Sequence, residues 1–195
     1  MKSLVGTQTH KNLMKAFAGE SQARNRYTFY GQVAKKQGYA NIQKTFDLTA
    51  TQEQMHAKIF FQFLAEEFNG QAIEIEADYP VDLYQEDTVR NLLASVVAET
   101  HEHEEIYPSF AKTAKDEGFP KIGSMFEMIA KIEEEHARRF AEIARELDDE
   151  TFYKKSEPVA WHCQVCGHIH FGVSAPTLCP VCKHPKGHFQ IEMTR

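Results

Sequence analysis

The tetrapeptide Glu53-Gln54-Met55-His56 returns eighty residues later as Glu133-Glu134-Glu135-His136. On a helix, positions i and i+3 share a face one turn apart, so each copy aims a carboxylate and an imidazole the same way. One Glu-x-x-His arises by chance in a charged helix. Two at a fixed separation suggest a duplicated fold, and the repeat runs well beyond the motif. At the same offset Tyr27 answers Tyr107, Tyr30 answers Phe110, Gly38 answers Gly118 and Ile42 answers Ile122. Phe46 answers Phe126, Ala50 answers Ala130 and Phe60 answers Phe140. Solenoid repeats are shorter, roughly 20–50 residues. This one reads as two helical hairpins packed together, each with a first helix stopped by a glycine and a second carrying Glu-x-x-His.

Upstream of the tyrosines the register changes, because Glu20 pairs with Glu99 at an offset of 79 (99 − 20). The second half therefore carries one extra residue between Glu99 and Tyr107. A single insertion in a continuous helix is absorbed as a π-bulge, a feature that concentrates at functional sites. Glu102 lies in this segment, one turn from Glu99. Pro108 follows and removes an amide from the helical ladder. A distorted third helix is expected.

Spacings of 3 and 4 among Leu13, Phe17, Glu20, Arg24 and Tyr27 predict a first helix over about residues 9–37, with Gly38 as its stop. The second helix is expected over about 41–68. Residues 69–87 lack a period and read as the long connection of a one-crossover bundle. Asp87 is placed to cap the third helix, which ends near Gly118, and Pro120 sits in the tolerated first turn of the fourth, which ends near Leu147. The expected division is a bundle over 1–147, a polar linker over 148–158 and a small domain over 159–195. A net charge of −6 and the lack of a basic run argue against nucleic acid. No apolar stretch approaches a membrane span or a signal peptide. A cytoplasmic protein is expected.

Glu20, Glu53, His56, Glu99, Glu133 and His136 thus occupy one kind of position. A Glu from each of two helices with Glu-x-x-His from each of the other two is the ligand set of carboxylate-bridged di-iron and di-manganese bundles. Carboxylates with single imidazoles suit iron or manganese, and bridging carboxylates offset the repulsion between two cations. Glu102 is a seventh candidate. Tyr27 and Tyr107 read either as part of the site or as core aromatics whose hydroxyls find partners. All four cysteines follow residue 160, as Cys163-x-x-Cys166 and Cys179-x-x-Cys182. That spacing makes a tetrathiolate metal site, and a segment this short needs its metal to fold. His101, His103 and the histidines of the C-terminal segment read as surface residues.

With these residues in order, the chain resembles the rubrerythrins. Glu20-Ser-Gln-Ala-Arg-Asn-Arg-Tyr27, Glu53-x-x-His56, Glu99-x-x-Glu102, Glu133-x-x-His136 and the Cys-x-x-Cys-Gly and Cys-Pro-x-Cys knuckles carry the resemblance across nearly the whole chain. It implies an all-α, ferritin-like four-helix bundle with a non-haem di-iron site, then a rubredoxin-like domain with one iron on four cysteines, where zinc can enter recombinant protein. It implies reduction of hydrogen peroxide, with electrons from an NAD(P)H-dependent reductase or a rubredoxin, and a homodimer with head-to-tail domain contact. Glu53 and Glu133 would bridge, Glu20 and Glu102 would bind one iron, and Glu99 and His136 the other. His56 would replace Glu102 on reduction. The connection over 69–87 looks longer than the family's usual one. The rival readings are an iron-oxidising or iron-storing bundle, for which an electron relay has no use, and an interaction protein with a zinc-ribbon tail.

Overall fold

The computed structural model describes residues 3–68 and 70–191. Its helical part is α1 (Gln8–Lys36), α2 (Ala40–Phe68), α3 (Thr88–His101), a π-helical turn (Glu102–Ile106), α4 (Tyr107–Asp116) and α5 (Pro120–Asp148). Helices α3 and α4 with the turn between them form one rod, so the bundle has four rods.

The two hairpins close alike. Gly38 (φ +86°) follows α1 and Gly118 (φ +83°) follows α4. At each, the next residue's amide reaches back five residues, Tyr39 to the Ala34 carbonyl (2.8 Å) and Phe119 to the Ala114 carbonyl (2.7 Å). This closure needs a left-handed residue, which glycine adopts without steric cost. The expected caps are present: the Asp87 carboxylate accepts from the Arg90 amide (2.9 Å) and Pro120 opens α5. The expected distortion of the third rod is the π-turn itself, where the Tyr107 amide donates to the Glu102 carbonyl five residues back.

Two apolar clusters fill the bundle. One gathers Leu13, Phe60, Leu64, Tyr107, Ile122 and Phe126, and the other Tyr27, Tyr30, Ile42, Phe46, Leu92 and Phe140. The connection crosses α1 without regular secondary structure over residues 71–84. Tyr79 Oη donates to the Lys15 carbonyl (2.8 Å), and the Tyr30 hydroxyl donates to Asp82. A cavity of about 1130 Å³ lies between this strap, α1 and the third rod. No helix among the described residues is long and apolar enough to cross a membrane.

The C-terminal part is a three-stranded antiparallel sheet in the order β2-β1-β3, from β1 (Lys154–Cys163), β2 (Ile169–Ser174) and β3 (Phe189–Ile191). The first residues of β1 fall within the stretch expected to be linker. Trp161, Cys163, Cys179 and Phe189 form its core. The domain sits on the α1–α2 turn of its own chain. Asn41 donates to the Phe189 carbonyl, Tyr39 stacks on Tyr153 with centroids 6.4 Å apart, and Gly187 lies so close that a Cβ would overlap the Gly38 carbonyl.

Gly123 fixes how closely α5 approaches α4. A Cβ there would lie 2.7 Å from Lys115 Cγ and 2.9 Å from the Ala111 carbonyl oxygen. Helix propensity favours Gly123→Ala by about 0.5–1 kcal/mol, but overpacking against backbone costs about 1–3 kcal/mol. The substitution is expected to lower stability in equilibrium denaturation. Equal or greater stability would show that Gly123 does not set the α4–α5 spacing.

Candidate metal centres

Each rod delivers its polar residues to one layer between the two apolar clusters. Glu20 comes from α1, Glu53 and His56 from α2, Glu99 from α3, and Glu133 and His136 from α5. The helical period that buries Phe46 and Phe60 buries Glu53 and His56 between them, and Phe126 and Phe140 do the same for Glu133 and His136. All six are buried, and none of the four glutamates is more than 1% exposed.

Their ligand atoms converge in two overlapping groups. Glu20, Glu53, His56 and Glu133 form one, and Glu53, Glu99, Glu133 and His136 the other, each within 4.8 Å. His56 Nδ1 lies 3.0 Å from both Glu53 and Glu133 and 3.9 Å from Glu20. His136 Nδ1 lies 3.0 Å from Glu53, 2.8 Å from Glu133 and 3.5 Å from Glu99. Glu53 and Glu133 belong to both groups, one oxygen turned to each histidine.

A pair of cations fits this layer. Glu20 Oε2, Glu53 Oε1, Glu99 Oε2, both Glu133 oxygens and His136 Nδ1 are buried and lack a well-aligned hydrogen bond. Buried polar atoms are costly unless something satisfies them. His136 Nε2 lies 3.0 Å from Gln52 Oε1, an oxygen that also accepts from Arg139. An amide oxygen only accepts, so Nε2 carries the hydrogen and Nδ1 turns a lone pair toward the carboxylates. Lone pairs facing lone pairs repel, and a cation between them turns every such contact favourable.

Without metal, protons stand in for it. Burial and the charges of Glu133 and Glu53 hold Glu20 well above the usual carboxylate range. Burial and the Glu53 charge push Glu99 up to about 8. Burial would also raise Glu53, but hydrogen bonds with His136 and His56 bring it down to about 2. Burial would lower both histidines, yet hydrogen bonds with Glu133 and Glu53 lift His56 to about 9 and His136 to about 12.

Glu102 stands outside both groups. It lies on the π-turn, partly exposed, and lines the cavity under the strap. Burial and the Glu99 charge raise its pKa well above the ordinary value. Tyr27 Oη donates to Glu99 and Tyr107 Oη to Glu20, so each tyrosine crosses to a carboxylate of the other hairpin. Both phenols are buried. His101 is exposed and His103 partly so, and they pair with the neighbouring surface carboxylates Glu105 and Glu104. Gln52 was not among the sequence candidates. Its repeat partner is Ile132 (52 + 80), so the offset rule singles out no amide there.

The second centre is built from two like knuckles. The Cys163 and Cys179 amides make the same closure, donating to the His168 and His184 carbonyls (2.8 Å each). Each knuckle turns through a left-handed residue, Gly167 (φ +78°) in one and Lys183 (φ +61°) in the other. Cys163 and Cys182 Sγ are 3.7 Å apart, as are Cys166 and Cys179. A tetrahedron with metal–sulfur bonds of about 2.3 Å has sulfur edges of about 3.8 Å, so the four thiols fit one metal ion. Burial would raise the Cys179 thiol, but the Cys182 and Val181 amides bring it to about 6, while against the His184 amide, burial and the neighbouring thiols push Cys182 up to about 12. The four thiols therefore share their protons, which a bound metal would displace.

Comparison with known proteins agrees with this geometry. The rubrerythrin family model matches residues 11–144, and the model of the rubredoxin-like domain of rubrerythrin matches 161–190. The chain is 50% identical to Rubrerythrin-1 of Clostridium acetobutylicum over 192 residues, 98% of this chain and 97% of that one. It is 46% identical to the rubrerythrin of Nitratidesulfovibrio vulgaris over 191 residues, again 98% and 97%. The structure of fully reduced, all-ferrous nigerythrin superposes with a TM-score of 0.64 at 30% identity, covering 98% of this chain and 89% of that one. A bacterioferritin from Desulfovibrio desulfuricans, at 21% identity and TM-score 0.65 over 73% of this chain and 81% of that one, shares the fold. The chain belongs to the rubrerythrin family, with its di-iron carboxylate–histidine centre and its rubredoxin-like four-cysteine centre.

These pKa shifts set a pH dependence for the metal-free protein. Glu99 at about 8 and His56 at about 9 both bind protons more tightly folded than unfolded, where they titrate near 4.5 and 6.5. Stability from such groups is present below the unfolded pKa and is lost as pH rises through the folded one. Glu53, at about 2, acts in the opposite sense but only below about 4.5. The thermal midpoint of metal-free protein is expected to fall steadily from about pH 5 to about pH 9, and metal is expected to abolish the decline. A midpoint that rises over this range would contradict the charge balance described.

Proposed function

We propose that this member of the rubrerythrin family reduces hydrogen peroxide to water in the cytoplasm, as part of oxidative-stress defence. Electrons would come from an NAD(P)H-linked reductase or a rubredoxin through the four-cysteine iron. The observation that carries this reading is the pairing of a buried two-cation layer, with Glu53 and Glu133 common to both halves, with a tetrathiolate centre on the same chain. An iron store has no need of the second centre, and an interaction module has no need of the first. In this reading the bundle (1–147) does the chemistry, 148–158 link, and 159–195 relay electrons.

When bound, two ferrous ions would supply both electrons and act as Lewis acids toward peroxide. Glu53 and Glu133 would bridge them, Glu99 and His136 would complete one ion's shell, and Glu20 the other's. Tyr27 and Tyr107 would fix the orientation of Glu99 and Glu20 through their phenolic hydrogen bonds. The cavity beside Glu102 would admit peroxide and protons.

His56 and Glu102 would exchange on the Glu20 side, with imidazole bound in the reduced state and carboxylate in the oxidised state. More metal charge favours the anionic ligand. The repeat supports His56 as the exchanging histidine. Gln52 clamps the outer nitrogen of His136, whereas the corresponding Ile132 offers His56 no such bond. Glu102 has no counterpart in the first half: offsets of 79 and 80 lead to Ala23 and Gln22.

The small domain meets its own bundle at Asn41, twelve residues before Glu53, or about 18 Å of helix at 1.5 Å per residue. That distance supports electron entry from the four-cysteine centre of a second copy in a head-to-tail homodimer.

Cys163→Ser is expected to abolish NADH-coupled peroxide turnover and to spare a single peroxide-driven oxidation of the pre-reduced bundle. Undiminished coupled turnover would remove the relay from the reading. His56→Ala is expected to alter the reduced iron spectrum and slow peroxide turnover. If it changes neither, ligand exchange is wrong and the di-iron assignment stands.

A further inference from the structure

The two halves of the bundle differ at one buried hydroxyl. Tyr27 and Tyr107 are repeat partners, and three residues on the partners are Tyr30 and Phe110. Ring spacing is nearly the same in both halves, 6.2 Å for Tyr27–Tyr30 and 6.4 Å for Tyr107–Phe110. Packing alone therefore accepts phenylalanine at this position, and the Tyr30 hydroxyl needs another explanation.

That hydroxyl has a base of its own. Tyr30 is fully buried, and its Oη donates to Asp82, 2.7 Å from Oδ1 and 2.8 Å from the carbonyl. Asp82 comes from the strap, outside the duplicated hairpins. Its side chain is 27% exposed, lies 3.3 Å from Arg26 and lines the cavity. Burial and the hydrogen bond to Asp82 hold the phenol well above its ordinary range, so it keeps its proton at neutral pH unless an electron also leaves. A phenol is readily oxidised only if its proton departs with the electron, and here the acceptor is in place. On the inner side, the Tyr27 ring spans from Tyr30 to Glu99.

We propose that Tyr30 and Asp82 form a path by which one oxidising equivalent leaves the di-iron layer when excess peroxide has oxidised it beyond the diferric state and the four-cysteine centre has no electron to give. The proposal rests on the peroxide-reducing reading above. Tyr30 gives one electron across the Tyr27 ring to the oxidised centre, and its hydroxyl proton passes to the Asp82 carboxylate. One phenolic O–H bond breaks and one carboxylic O–H bond forms. Tyr30 is left as a neutral radical and the centre is reduced by one equivalent. A soluble thiol at the cavity restores Tyr30: its electron fills the radical, Asp82 returns the proton, and the thiol leaves as a thiyl radical after losing its own proton to solvent. Phe110 allows no such step in the other half.

The test uses full-length, iron-containing, pre-reduced protein mixed with excess peroxide and no reductant, then frozen for electron paramagnetic resonance. Iron oxidation is followed separately by absorbance. Wild type is expected to show a tyrosyl radical, which ring-deuterated tyrosine sharpens. The signal is expected to be lost in Tyr30→Phe, which copies the residue at 110. It is also expected to be lost in Asp82→Asn, which keeps an acceptor oxygen but takes up no proton. Peptide mapping should then find more oxidative damage around His56 and His136 in both variants. An unchanged signal in Tyr30→Phe, or no radical in wild type although the irons oxidise, overturns the exit and leaves the peroxidase reading intact. Irons that peroxide does not oxidise overturn both.

Discussion

Carboxylates do not share a dry helical core unless positive charge joins them. Glu20, Glu53, Glu99 and Glu133 meet within a few ångströms, away from water. Burying an unpaired carboxylate costs several kcal/mol even after relaxation. Metal-free protein meets that cost with protons on its histidines and on its raised carboxylates. Two divalent cations meet it better, because each satisfies several oxygens at once and bridging through Glu53 and Glu133 offsets the repulsion between them. The layer also divides the bundle's apolar interior in two, so metal affinity and folding free energy are linked.

Duplication explains why the layer is nearly symmetric, and the breaks in duplication explain where its chemistry is directed. The extra residue in the third rod winds it into a π-turn, which leaves Glu102 out of the layer and on the cavity wall. Gln52 clamps one histidine and Ile132 leaves the other without that bond. Tyr30 carries a hydroxyl where Phe110 carries none. All three departures lie in or beside the layer, and two of them open toward the strap.

Much of this is legible in the chain because it depends on periodicity. Offsets of 79 and 80 locate the four rods, the two hairpin glycines, the six converging side chains and the bulge, all of which follow from local helical geometry. The cysteine spacing is equally local. What escapes the sequence depends on contacts between segments with no common period. Asp82 lies in an aperiodic stretch, and only packing across α1 brings it to Tyr30. Gln52 faces His136 from another helix, and its sequence position next to Glu53 gives no sign of that. The start of β1 at Lys154 depends on pairing with Ser174, so a polar, aperiodic stretch reads as linker.

The central claim is that one chain holds two irons between Glu53 and Glu133 and a third among Cys163, Cys166, Cys179 and Cys182. Anomalous X-ray diffraction at the iron edge, on crystals of protein purified anaerobically with iron, tests it most directly. Two iron peaks within the glutamate–histidine layer and one at the centre of the four sulfurs are expected. An empty layer with a zinc signal at the cysteines would contradict the account.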